Sequence, residues 1–254
     1  MIKTRAGDTG NTLFVYHRFI MTNVMHKLMT TLAAILIAAS AFAAPKNYDL
    51  KSPNGKLSVS VEAGEGISYT LTHDGDLLLD KTSISMATTT GELFGGIQPV
   101  RKVTRRSVSQ IIPTVLYKKA EVKDEFNEMT LKFKRFSLIF RAYDDGMAYR
   151  FVSHLKDAYQ IEQEFVNFNF AEDWNMWAGY VTHNTHSLEG QYFTSNEAQY
   201  TYSPLSQWNK DRIAILPLMV DGPDGKKIVI TEADNRDYPC FYLYNNEGGK
   251  KLSG

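Results

Sequence analysis

Two histidines and a carboxylate stand at intervals of three in His183-Asn-Thr-His186-Ser-Leu-Glu189. On a helix this spacing would bring all three to one face, where two imidazoles and a carboxylate could hold zinc. The Asn, Thr and Ser between them and Gly190 behind them suit a loop better, so a polar surface loop is expected. Glu189 could still face a ligand there, as acids on loops over a rigid sheet often do. A second carboxylate has a more definite setting. In Ile228-Val-Ile-Thr-Glu232 a period of two puts Ile228, Ile230 and Glu232 on one strand face. A carboxylate that follows two core-facing side chains is costly to bury unless it is paired or binds a cation. Glu232 is therefore expected either exposed at the mouth of a sandwich or beside a metal or a sugar hydroxyl. Asp234 and Asp237 follow it and could add negative field for a hard cation such as calcium.

Trp174, Trp177 and Trp208 crowd one third of the chain with Tyr180, Tyr192, Tyr200 and Tyr202. Flat aromatic faces suit stacking on the C–H faces of sugars, and they equally suit a β core. Trp177 and Trp208 are the candidates for sugar contact. Asp144-Asp145-Gly146 lacks the spread of oxygen ligands that a calcium loop needs and reads as a hairpin turn. Cys240, between Pro239 and Phe241, is the single cysteine and reads as a buried, inert thiol. A Gly-rich phosphate loop, a G-x-S-x-G elbow and an H-E-x-x-H pair are all missing from the sequence. No residue is assigned a catalytic role.

The elements that must position these residues are strands. Leu57, Val59 and Val61 alternate with polar neighbours, and Ile67, Tyr69 and Leu71 repeat the pattern before the turn His73-Asp-Gly-Asp76. Met129–Phe133 and Phe136–Tyr143 form the next pair, turning at 144–146 into Met147–Ser153. Ile213–Val220 joins Lys227–Thr231 through Asp221-Gly-Pro-Asp-Gly225, and Asp-Gly steps admit the positive φ of tight turns. No amphipathic helix longer than about three turns is evident. Many short strands at close spacing point to an all-β, antiparallel sandwich in one domain. Near the end, 247–250 looks like a turn into one more strand, as in the front part of a longer polypeptide.

The 28 basic and 28 acidic residues balance, which removes the electrostatic footprint of a nucleic-acid binder. At the N-terminus, Lys27 precedes the apolar run 28–39, and Ala41-Phe-Ala43 supplies small residues at the cleavage positions. This order reads as a secretory signal peptide, with a run too short to span a bilayer comfortably. Residues 1–43 are thus expected to be an extension and signal, and 44–254 the mature domain. The extension carries four of the basic and one of the acidic groups, leaving a net charge of about −3. The mature chain is expected outside the cytoplasm and off the membrane.

Three segments together resemble a known family: Leu50-Lys-Ser-Pro-Asn-Gly-Lys-Leu57, Phe140-Arg-Ala-Tyr-Asp-Asp-Gly-Met-Ala-Tyr-Arg-Phe151 and Ile230-Thr-Glu-Ala-Asp-Asn-Arg-Asp-Tyr-Pro239. They are similar to the N-terminal domain of glycoside hydrolase family 97, over about Tyr48 to Leu243. The resemblance implies a β-super-sandwich of galactose mutarotase-like fold, followed in the parent enzyme by a catalytic (β/α)8 barrel that this sequence does not contain. It implies a calcium-dependent α-glucosidase or α-galactosidase, with α-linked glucosides or galactosides as substrates. It also implies a periplasmic or outer-membrane-associated location in a Gram-negative bacterium. It maps the one calcium-ligating Glu of the N-terminal domain onto Glu232, the other ligands coming from the barrel. Where the family continues Tyr-Pro-Gly, this sequence has Cys240, and a special backbone angle there would be strained by a side chain.

The expected function is therefore that of a non-catalytic domain, inactive alone, which packs on the barrel and gives Glu232 to calcium. A free-standing carbohydrate-binding module built on the aromatics is the alternative. A mutarotase-like epimerase using His183 or His186 with Glu232 is a further reading.

Overall fold

The structure, a computed structural model, describes residues 45–183, 185–233 and 238–254. The proposed extension and signal, together with Asp234 and Asp237, lie outside the described residues. The described part is built almost wholly of antiparallel strands, as an all-β sandwich requires. Its helical content is one short turn of helix, α1 (Leu188–Gln191), and two 3-10 turns.

The first layer is one large sheet. It runs in the order β1 (Lys46–Lys51), β2 (Leu57–Ala63), β3 (Ile67–His73), β4 (Asp76–Thr88), β10 (Ile161–Asn169) and β15 (Lys251–Ser253), with β5 (Leu93–Phe94) also on β4. Alternation dictates which face is apolar. Leu57, Val59, Val61 and Ala63 are buried on β2, and Ile67, Tyr69 and Leu71 on β3. The β3–β4 hairpin closes through Asp74 (φ 52°) and Gly75 (φ 90°), successive left-handed residues that match the twist of the flanking strands.

Two separate sheets cover that apolar face. One is the meander β6 (Lys102–Pro113), β7 (Glu121–Lys132), β8 (Phe136–Tyr143) and β9 (Gly146–Ser153). The other has the order β12 (Tyr200–Pro204), β11 (Asn175–Tyr180), β13 (Ala214–Asp221) and β14 (Lys227–Ile230). Phe136, Leu138, Phe140 and Ala142 on β8 are fully buried, as are Met176, Ala178, Leu218 and Val220 of the second sheet, and all belong to one core.

Aromatic rings join the layers. Phe136 stacks on Phe133 at 4.3 Å and on Phe94 at 5.0 Å, and meets Phe151 edge-on at 5.7 Å. Tyr69 meets Phe140 edge-on at 5.8 Å across the interface. At the side of the meander Glu128 is held between Arg106 (2.6 and 2.9 Å) and Arg141 (2.8 Å). The hydrogen bonds from Arg106 are the main reason that its carboxyl is held below the usual range, against the opposing effect of burial. Cys240 is exposed, not buried, and its φ lies outside the left-handed region, so the side chain at this position carries no backbone strain.

Phe136 is fully buried and has three ring partners. Phe136→Ala is expected to lower unfolding free energy by about 3–5 kcal/mol, read from urea midpoints, and Phe136→Leu by clearly less. Equal losses for the two would show that the ring contacts are not what holds the layers together.

Candidate functional site

Strand β14 leaves its sheet at Ile230 and delivers Glu232 to the rim of a cavity of about 1020 Å³. The whole stretch 226–233 borders it, with Ile230 buried at the end of β14 and Glu232 two residues beyond. The floor is the apolar face of β3, β4 and β10, with Tyr69, Leu71, Met86 and Val166. Tyr149 and Phe151 of β9 form the opposite wall.

The Glu232 carboxylate is oriented locally, since its Oε1 accepts a hydrogen bond from the Phe241 amide at 3.0 Å. A second acid, which sequence reading did not single out, is Glu164 on β10. Its Oε2 accepts from the Tyr238 hydroxyl at 2.9 Å. Burial raises the Glu164 carboxyl above its ordinary range. The hydrogen bond from Tyr238 opposes this, and the negative charge of Glu232 adds to it. Tyr238 is pushed up as well, first by burial and then by the charge of Glu164. Tyr149 is pushed up strongly by burial, with Tyr69, Glu164 and Tyr238 acting in the same direction. Both phenols stay protonated at neutral pH and remain donors.

Two carboxyl groups thus border one cavity, and the exposed Tyr238 donates to one of them. Among the described residues no group of three or more His, Cys, Asp or Glu converges. The donors present are hard oxygens, which suit calcium or magnesium better than zinc. Calcium takes about six to eight oxygens, more than two carboxyl groups supply.

The other residues singled out in the sequence lie elsewhere. Trp208 is buried in the core, edge-on to Tyr180 at 5.0 Å, and its indole N–H donates to the Arg212 carbonyl at 3.0 Å. Its ring is used in packing and offers no face to a sugar. Trp177 is 37 % exposed and lies against Tyr202, its cross-strand partner, at 4.6 Å. The Tyr202 hydroxyl donates to Asp221 (2.9 Å) and accepts from Asn175 (3.1 Å), and Lys227 donates to the same Asp221 (2.7 Å). An aromatic pair with a polar rim therefore stands on the outer face of the second sheet. Glu189 is exposed on α1, where Ser187 caps the helix by accepting from the Gly190 amide at 3.0 Å. His183 and His186 are exposed in the loop before it, and Glu189 is not brought to Glu232 as part of any metal cluster. Asp144 accepts from the Asn54 amide at 2.9 Å, tying the β8–β9 turn to the β1–β2 turn.

Comparison with known proteins bears on the same residues. The family model described as "Glycosyl-hydrolase 97 N-terminal" matches residues 50–253. A retaining alpha-galactosidase of Bacteroides thetaiotaomicron is 35% identical over 229 residues, covering 89% of this chain and 35% of that protein. A glycoside hydrolase family 97 enzyme from Pseudoalteromonas sp. strain K8, solved with acarbose, superposes with a TM-score of 0.67 at 19% identity. That match covers 82% of this chain and 31% of the enzyme. A beta-arabinopyranosidase superposes with a TM-score of 0.70 at 18% identity, covering 82% of this chain and 35% of the other. The chain thus spans about a third of the length of these relatives.

The Glu164 carboxyl is raised by folding, so its neutral form favours the folded state, and that contribution fades as pH rises through its folded pKa. Gln at 164 keeps an acceptor for Tyr238 and removes the charge. Glu164→Gln is expected to raise the thermal midpoint at neutral pH, the advantage shrinking as pH falls through the raised folded pKa and vanishing once the ordinary Glu range is passed. Melting curves from pH 4 to 8 check this; a variant equally or less stable at neutral pH contradicts it.

Proposed function

Because the chain belongs to the glycosyl-hydrolase 97 N-terminal family, we propose that it serves as the non-catalytic N-terminal domain of an exported α-glycosidase acting on α-linked glucosides or galactosides. Its role is to pack on the catalytic barrel of the same parent protein and to present Glu232 as one ligand of a calcium ion. The observation that carries this reading is the Glu232 carboxylate, fixed by the Phe241 amide beside a second carboxyl at an open rim. Bound there, calcium would supply positive field for positioning and polarising a sugar oxygen. The chain's own residues do the rest. The Phe241 amide orients Glu232 and Tyr238 fixes Glu164, beside an apolar floor.

A domain holding only part of the ligand set should bind calcium weakly, with a Kd on the order of 1 mM. Titration calorimetry on the pure chain is expected to show that binding and to lose it in Glu232→Gln. Binding unchanged in Glu232→Gln would overturn the ligand role. The same preparation is expected to release no nitrophenol from nitrophenyl α-glucoside or α-galactoside, and measurable turnover would overturn the non-catalytic assignment.

The Trp177–Tyr202 pair favours a second reading, a carbohydrate-binding face on the outer side of the second sheet. Stacking on such a pair is worth about 1 kcal/mol. Calorimetry with maltose, galactose and melibiose is expected to show millimolar binding that Trp177→Ala removes, and no heat with the parent chain would reject this reading.

A further inference from the structure

We infer that the β6–β7 hairpin docks on an anionic phospholipid surface, its tip residues Val115 and Leu116 entering the acyl boundary while Lys118 and Lys119 stay with the phosphates. The contact is peripheral and needs no spanning segment, and it replaces the expectation, drawn from the sequence, of a chain off the membrane. It goes beyond the sugar and calcium reading and does not depend on it.

The hairpin reaches out from its sheet. β8 pairs with β7 from Asn127 to Lys132, whereas β6 accompanies β7 as far as Glu121. Residues 108–113 and 121–126 therefore form a two-stranded ribbon of six pairs beyond the last rung shared with β8. A rise of about 3.4 Å per residue carries the loop 114–120 roughly 20 Å from that rung. A bare ribbon of this kind is only marginally stable in water by itself.

Polarity changes along this ribbon and not around it. Near the sheet, residues opposite each other are polar and bonded to one another. Ser107 donates to Asn127 (2.6 Å), Ser109 to Glu125 (3.0 Å) and Gln110 to Asp124 (2.7 Å). Ile111 and Ile112 come next, both exposed, and neighbours on a strand point to opposite faces. Both faces thus turn apolar at the same level. Lys123, opposite Ile111, turns back to pair with Glu125 on the polar stem. At the tip Val115 is 95% exposed and Leu116 97%.

That distribution selects the partner. A ribbon laid on another protein needs one apolar face and keeps the other wet. One that is apolar on all sides at its outer end, and polar on all sides at its base, matches a layered medium entered end-on. A fluid acyl layer closes around such a tip without a preformed socket.

The residues after the apolar pair supply the charge complement. Tyr117, Lys118 and Lys119 are all exposed, and at this end of the ribbon they are set against a single acid, Glu121. A phenol suits the headgroup level, and a lysine stem lies along apolar chains while its ammonium reaches a phosphate. The loop is also closed at its neck. The Thr114 amide donates to the Ala120 carbonyl (2.9 Å) and the Thr114 hydroxyl to the Lys119 carbonyl, pairing polar groups that an apolar medium would leave unsatisfied.

The test places a bimane probe on single cysteines of the full chain, with Cys240→Ser removing the native thiol. Vesicles of phosphatidylcholine and phosphatidylglycerol are then added. At Leu116→Cys the emission is expected to move to shorter wavelength and to be quenched by nitroxide-labelled lipid. At Ser109→Cys, on the polar stem, it is expected to stay as in water. Val115→Cys gives a second tip position, which covers the case of a label that alters the first. The apolar run 28–39 is common to every variant, so the difference between tip and stem reads the hairpin. Lys118→Glu with Lys119→Glu is expected to weaken insertion by about tenfold or more, and vesicles of phosphatidylcholine alone to weaken it likewise. Entry of either tip probe while Ser109→Cys stays in water, with that loss on charge reversal, supports the inference. Both tip probes remaining in water would overturn it, as would equal quenching at tip and stem or insertion unchanged by the charge reversal. A shift at the tip on concentrating the chain without vesicles would also overturn it, by assigning the tip to a second copy.

Discussion

The constraint on which the rest of the molecule depends is the apolar face of the first sheet. β2, β3, β4 and β10 turn a continuous row of Leu, Val, Ile, Tyr and Phe side chains to one side, and that side must be removed from water. Burying a single Leu or Phe contributes about 1.5–3 kcal/mol, so cover over a surface this wide outweighs any one polar contact. The chain meets the requirement with two separate sheets. The meander covers β1 to β3, where the rings of β8 and β9 interlock with Tyr69 and Phe94. The second sheet brings Met176, Leu218, Val220 and Ile230 to the same core.

Where the two covers fail to meet, polar chemistry becomes possible. β14 is short and its last core residue is Ile230, so the next inward position, Glu232, falls on the rim and not in the core. There its carboxylate keeps one backbone hydrogen bond and acts on Glu164 and Tyr238 through space. A carboxylate pair of this kind is unfavourable within a sealed apolar layer and tolerable beside an opening. The interruption in the cover and the position of the acids are thus two aspects of one arrangement.

Much of this was legible in the sequence, for a simple reason. Strands buried on one face and wet on the other write a period of two, and β2, β3, β8 and β9 do so plainly. The same alternation is seen within β14, where Ile228 and Ile230 are less exposed than Lys227 and Val229. Strand β6 was not legible, because Lys102–Pro113 is exposed along most of its length and has no apolar face to register. Glu164 was hidden in Ile161–Asn169, where polar and apolar residues do not alternate strictly and a register shift interrupts the pairing with β4. Trp208 and Trp177 could not be told apart by composition. Only the register of β11 with β12 leaves Trp177 on the outside, while the 3-10 turn before Trp208 turns it inward.

The account stands most directly on the statement that β9 and β14 are edge strands of separate sheets over a common apolar floor. An assigned nuclear Overhauser spectrum of the full chain tests it. Cross-strand contacts are expected between β8 and β9 and between β13 and β14, with Tyr149 and Ile230 both showing contacts to floor residues such as Leu71 and Val166. No backbone ladder is expected between β9 and β14 themselves. A continuous set of interstrand contacts joining those two strands would contradict the account, since the opening and its acids would then have no place.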